Sequence, residues 1–215
     1  PEWQVFSNAD TSLNSADFWL TPVAPPKGYE SYFNKVVLVE RLREVRALVG
    51  FTRIESPGDF VETGEIPEDF WAPLSRQEPK WVPATEVRGE GLFIQFSEQA
   101  IAKWEALPEL KDYKKQSVEA HQRWRTARSL DPNANYPGVR YILLHSFAHA
   151  LMRQLAIECG YTAASLRERI YSKSPQDDNG PMAGILIYTA APDSEGTLGG
   201  LVSLGEPATL GRHID

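Results

Sequence analysis

Residues Tyr141–Cys159 read YILLHSFAHALMRQLAIEC, and the folding of this stretch decides how the rest of the chain is arranged. Apolar residues recur at three- and four-residue steps through Leu144, Ala148, Leu151 and Leu155, which predicts a helix. It is expected from about Val139 to Cys159, with Gly160 well placed as the left-handed residue that ends it. At 100° per residue, His145, His149, Met152, Ala156 and Cys159 fall in a stripe roughly 80° wide inside the apolar arc. Arg153, Gln154 and Glu158 lie on the other side, so both histidines are expected to point inward, one turn apart. Two histidines four residues apart can bind one metal ion, but they need one or two further ligands. Cys159 is not one of them for the same ion, because it sits about 15 Å along the axis from His149. The HExxH protease motif is absent, with Ser146 where that motif places its general base. The plainer reading is a pair of neutral core histidines, so no metal site is assigned; His145 and His149 are the only candidate ligands.

Towards the C-terminus the pattern predicts a short helix near Ala164–Tyr171, a flexible stretch at Ser174–Pro181 and a strand at Gly184–Thr189. A glycine loop follows, Ala191-Pro-Asp-Ser-Glu-Gly-Thr-Leu-Gly-Gly200. Glycines permit positive φ and close backbone approach, and bare N–H groups can cradle an anion. The loop has neither the Gly-Lys-Ser/Thr of a P-loop nor the dinucleotide fingerprint, and Asp193 and Glu195 make it a poor phosphate cradle. A Ser194–His145–Asp193 triad lacks the GxSxG elbow, and Asp193, adjacent to Ser194, cannot reach behind the histidine. The plainer role is a tight connection that lets a helix pack close to the strand, with Gly199 and Gly200 supplying the approach. Pro207 then starts a helix that reaches the chain end.

Towards the N-terminus, residues 1–35 read as an irregular lead-in rich in proline and aromatic side chains. Leu38, Leu42, Val45 and Val49 have helical spacing, with Gly50 as a stop and Phe51–Ile54 extended after it. Residues 55–90, punctuated by proline and glycine, read as a long loop anchored by Trp71 and Trp81. Gly91–Phe96 is a strand, Ser97 an N-cap for a helix Glu98–Leu107, and Pro108–Arg128 a second, charged helix closed by turn residues 131–135. Three regions result: 1–35, 36–135 and 136–215, the last a helix–strand–glycine-loop core expected to be cut short at its C-terminal end. The fold class is mixed α/β (α+β), a long buried helix packed on a small sheet with extended loops.

Composition narrows the function classes. The chain has 215 residues, 42% hydrophobic and 24% charged, as in an ordinary soluble domain. No apolar run approaches the length of a membrane span, and the first residues, PEWQVFSNAD, carry no secretory leader. The sequence starts without Met and is expected to be a piece of a longer protein. The single Cys159 excludes an internal disulfide or a multi-cysteine zinc site within these residues and fits a reducing cytoplasm. A net charge of −7 argues against a stand-alone nucleic-acid binder. One segment runs against that sign. Within Lys111–Arg128 the local balance is +4, from Lys111, Lys114, Lys115, Arg123, Arg125 and Arg128 against Asp112 and Glu119. Tyr113 and Trp124 are interleaved and able to stack on bases. A solvated helix face competes with a phosphate-tracking surface as the explanation.

Several segments together resemble a known family: Val36–Ile54, Ala72–Arg76, Arg88–Phe96, Leu143–Tyr171 (LLHSFAHALMRQLAIECGYTAASLRERIY) and Gly184–Pro207 (GILIYTAAPDSEGTLGGLVSLGEP). They are similar to a helicase-associated domain found in the DrmB components of bacterial DISARM antiphage systems and, more distantly, fused to MrfA-type helicases. The resemblance implies a non-catalytic cytoplasmic subunit that pairs with a superfamily-two helicase, DrmA-like, and helps it engage DNA, single-stranded in the first instance. It implies no membrane contact. It also implies a zinc-binding cysteine cluster downstream of the glycine loop, so zinc is expected only from residues beyond Asp215. It assigns no catalytic residue and leaves His145, His149, Asp193, Glu195, Gly199 and Gly200 as motif positions without a role. The alternative is a hydrolase or metalloenzyme built on His145 and His149 with Asp193 and Glu195.

Overall fold

The computed structural model describes residues 2–52, 71–159, 165–189 and 200–215. Their helices are α1 (Glu2–Asn8), α2 (Glu98–Glu105), α3 (Leu110–Thr126), α4 (Gly138–Cys159), α5 (Gly200–Leu204) and α6 (Pro207–Ile214). The strands are β1 (Trp19–Val23), β2 (Phe33–Ala47), β3 (Gly50–Thr52), β4 (Trp71–Pro73), β5 (Ala84–Phe96), β6 (Leu166–Tyr171) and β7 (Gly184–Thr189). Two compact units result, residues 1–43 with 88–215, and Glu44–Val87.

The first unit is a mixed α/β fold on a five-stranded sheet of order β1-β2-β5-β7-β6, with antiparallel pairings β1/β2, β5/β7 and β6/β7. Its central strands are buried on both faces, and alternate residues separate cleanly. Val36, Leu38, Leu92, Ile94, Ile185 and Ile187 face a core that contains Leu144, Ala148, Leu151 and Leu155 of α4, with Ile101, Leu201 and Leu210. Val37, Val39, Phe93 and Leu186 face a second core under α1, with Phe6, Leu20 and Tyr171. Trp3 of α1 packs against the backbone of β7: a Cβ added at Gly184 would lie 2.7 Å from the Trp3 ring.

This two-sided burial corrects the helix expected from Val36. Val36, Val37, Leu38 and Val39 are each 0–2% exposed. On a helix, four consecutive residues point in four directions, and one covering layer cannot bury them all. On a central strand α1 covers one pair and α4 the other, and each side chain so buried contributes about 1.5–3 kcal/mol. The β-branched valines also suit a strand. Pro22, whose missing N–H disqualifies it from a central strand, lies on edge strand β1 opposite Val37.

Four further expectations are corrected. Residues 1–35 are not wholly irregular: they hold α1, a 3-10 turn at Thr11–Leu13 and β1. The loop expected over 55–90 gives way to β4 and to β5, which begins at Ala84; residues 53–70 lie outside the described segments. The helix expected near Ala164–Tyr171 is strand β6, whose outward Arg167 and Arg169 alternate with more buried neighbours. The stretch Ser174–Pro181 is a hydrogen-bonded turn, in which the Ser174 N–H donates to Asp177 Oδ2 at 2.6 Å and the Met182 N–H to the Lys173 carbonyl at 2.8 Å.

Other elements follow their sequence signals. The Ala100 N–H donates to the Ser97 hydroxyl at 3.4 Å, capping α2, and Pro207 stands in the first turn of α6. Gly160, expected to end α4, is outside the described residues. The second unit contains the antiparallel β3/β4 pair, with Phe51 opposite Ala72, and its Leu48 N–H donates to the Pro83 carbonyl at 2.8 Å. Val45, Val49 and Trp81 are exposed there.

Candidate functional site

Strand alternation on β6 brings an unanticipated carboxylate to the histidine helix. Leu166 and Ile170 belong to the core beneath α4, so Glu168 between them, at the same parity, faces α4 as well. Arg169 points the other way and donates to both carboxylate oxygens of Glu2 on α1, at 2.8 and 2.6 Å. Burial works against this exposed-edge guanidinium only second to its Glu2 hydrogen bond, which holds its pKa above the ordinary value. On α4 the buried arc is centred on Leu144, Ala148, Leu151 and Leu155. At 100° per residue His145 lies about 90° and His149 about 130° from that centre. The histidines therefore flank the core instead of entering it, which corrects the inward placement expected from the sequence. Their side chains are 31% and 51% exposed.

The three side chains meet at β6, the last strand in the sheet order of the described residues. His145 Nδ1 lies 2.5 Å from Glu168 Oε1, and His149 Nε2 lies 3.4 Å from the same oxygen. The two imidazoles are 4.4 Å apart between centroids at 68°, and Tyr141 stacks on His145 at 5.6 Å and 11°. One ligand atom from each of His145, His149 and Glu168 lies within 4.8 Å of the others. Glu168 Oε2 is buried and has no hydrogen-bond partner among the described residues. Asp193 and Glu195, the carboxylates expected opposite the histidines, lie outside the described residues, as does Gly199; Gly200 opens α5.

Two supporting contacts hold this region. Arg140, 4% exposed, reaches Glu98 at 2.5 Å and Glu105 at 3.1 Å and donates to the Lys173 carbonyl at 2.8 Å. Burial opposes the guanidinium charge, but the hydrogen bonds to Glu105 and Glu98 outweigh it and hold the pKa above its ordinary value. Glu90, 1% exposed, accepts from the Leu201 N–H at 2.8 Å, and its own N–H donates to the Thr189 hydroxyl at 3.0 Å. It thus links Thr189 at the end of β7 to Leu201 of α5. A charge in the middle of an apolar strand, RGEGLFIQF, was the signal for it.

The basic helix α3 is divided between structural and exposed positions. Arg125 is 2% exposed and donates to the Asp131 carbonyl. Lys114 donates to the Glu105 carbonyl at 2.8 Å. Arg128 lies over the Trp124 ring at 4.4 Å, covering an aromatic face that was a candidate for base stacking. Lys111, Lys115 and Arg123 are exposed, and Arg123 borders an open groove with Glu119, Gln122 and Asn133.

Comparison with known proteins shows what the chain is similar to. Residues 147–208 match a family described as MrfA Zn-binding domain, a span that runs from the middle of α4 through β6 and β7 into α6. Over 95% of its length the chain is 34% identical to DISARM protein DrmB of Bacillus paralicheniformis, so the resemblance read from the sequence holds. The chain spans 35% of the length of that relative.

The zinc in that family description can be tested against the donors present. With one cysteine in 215 residues, a thiolate-rich structural site does not fit this chain. The histidine–histidine–carboxylate set does fit, since imidazole nitrogen and carboxylate oxygen are ordinary zinc ligands. Glu168, whose buried Oε2 has no hydrogen-bond partner among the described residues, would supply the carboxylate oxygen.

Proposed function

We propose that this chain is a module of a DISARM-type antiphage component, acting in the cytoplasm as a non-catalytic accessory to a superfamily-two helicase and contributing to its engagement of DNA. The carrying observation is the 34% identity to a DISARM protein across 95% of the chain. No helix among the described residues is long and apolar enough to cross a membrane. Lys111, Lys115 and Arg123 on α3 are the phosphate contacts of this reading, because Arg125 is buried and Lys114 is engaged within the fold. A chain of net charge −7 gains little from three cations alone, so they complete a DNA path whose main affinity comes from the helicase.

The test is fluorescence anisotropy of labelled single-stranded DNA titrated with the helicase partner, with and without this protein, across a range of salt. Triple reversal, Lys111→Glu, Lys115→Glu and Arg123→Glu, is expected to weaken the assembled complex. It should also reduce the salt slope by about 0.7 per lost phosphate contact, about 2 in all. An unchanged slope and affinity contradict the DNA contact.

A further inference from the structure

We propose that His145, His149 and Glu168 bind one divalent transition-metal ion of the Zn2+ class, with a fourth coordination position open to solvent. The inference stands on side-chain geometry and does not depend on the antiphage reading.

The donors sit on two regular elements, a helix of 22 residues and a strand of the sheet, which hold them in place better than loops do. Four-coordinate zinc at about 2.0–2.2 Å from its ligands needs donor atoms about 3.3 Å apart. One donor atom from each of the three lies within 4.8 Å of the others, close to that spacing. Binding the ion would replace the 2.5 Å contact between His145 Nδ1 and Glu168 Oε1 with two bonds to the metal. It would also give the buried Glu168 Oε2 a partner, which it lacks among the described residues.

Charge favours the same occupant. Among the described residues, the ion pairs of Glu168 are those to the two histidines, and its neighbour Arg169 is committed to Glu2 on the opposite face. A partly buried carboxylate beside two imidazoles offers one negative charge and three good donors, which suits a dication of borderline softness better than Mg2+ or Ca2+, whose ligands are oxygens. β6 is the last strand in the sheet order, and His149 is half exposed, so an ion can enter and keep a water as its fourth ligand.

The test uses the purified protein, stripped of metal by chelation and titrated with Zn2+ and with Co2+ as a spectroscopic probe. Wild type is expected to hold one more equivalent of Zn2+ than Glu168→Gln or His149→Gln and to show the visible bands of low-coordinate Co2+. Each variant should weaken binding by at least about tenfold. His149→Gln changes a half-exposed side chain and is expected to keep the fold, which circular dichroism checks. Equal metal content in wild type and the folded His149→Gln variant overturns the proposal. So does a wild type that gives no Co2+ spectrum.

Discussion

The carboxylate of Glu168 meets the imidazole of His145 at 2.5 Å, although 23 positions separate the two residues. Strand parity on β6 and the position of His145 at the border of the buried arc of α4 bring them together. If these groups bind zinc, the ion links a helix to an edge strand and stabilises the native state by mass action. At about a hundredfold excess over the dissociation constant the gain is about 2.7 kcal/mol. For a chain of this size Tm should rise by about 5–10 °C on Zn2+ addition. Differential scanning calorimetry of Glu168→Gln should show no such rise.

Arg140 is the cation on which α4 and α2 converge. Replacing it with Met removes the charge but retains much of the volume, leaving Glu98 and Glu105 without their partner. Loss of a fully buried partner costs about 3–5 kcal/mol. Here the carboxylates are 33% and 27% exposed, so water relieves part of that and about 2–3 kcal/mol is expected. Urea unfolding should show a lower midpoint with an unchanged slope.

Asp177 sets a pH dependence of stability. Hydrogen bonds from the Ser174 backbone and side chain hold its carboxyl below the ordinary value of 3.8. A depressed folded-state pKa contributes stability that is present above the ordinary value and is lost as pH falls through the lowered one. Wild type should therefore melt above Asp177→Asn at neutral pH, and the two Tm values should converge in strong acid. A difference that persists at the lowest pH contradicts the account.

Much of the fold was legible in the sequence wherever one face of an element is buried. The helix at Val139–Cys159 is observed as Gly138–Cys159, the strand at Gly184–Thr189 is unchanged, and Ser97 caps α2 as its side chain suggests. Where both faces are buried the signal fails. Val36–Val39 has no period at all, and the chance spacing of Leu42, Val45 and Val49 then imitates a helix. The same difficulty hid half of the candidate site. His145 and His149 stand out four residues apart on one helix, whereas Glu168 lies on a six-residue strand read as helical, where no local spacing connects it to them. The alternation of Leu166, Glu168 and Ile170 was the available clue. The exposure of the DNA candidates was not legible either, since Arg125 turns inward to donate to the Asp131 carbonyl in the turn after the helix.

The most direct measurement of the central claim is the plating efficiency of phage on host cells that carry the complete defence locus. The account predicts that deleting this protein raises plating to that of cells lacking the locus, that wild type restores protection, and that the Lys111, Lys115 and Arg123 reversal restores it only in part. Plating that is unaffected by the deletion would contradict a role in antiphage defence.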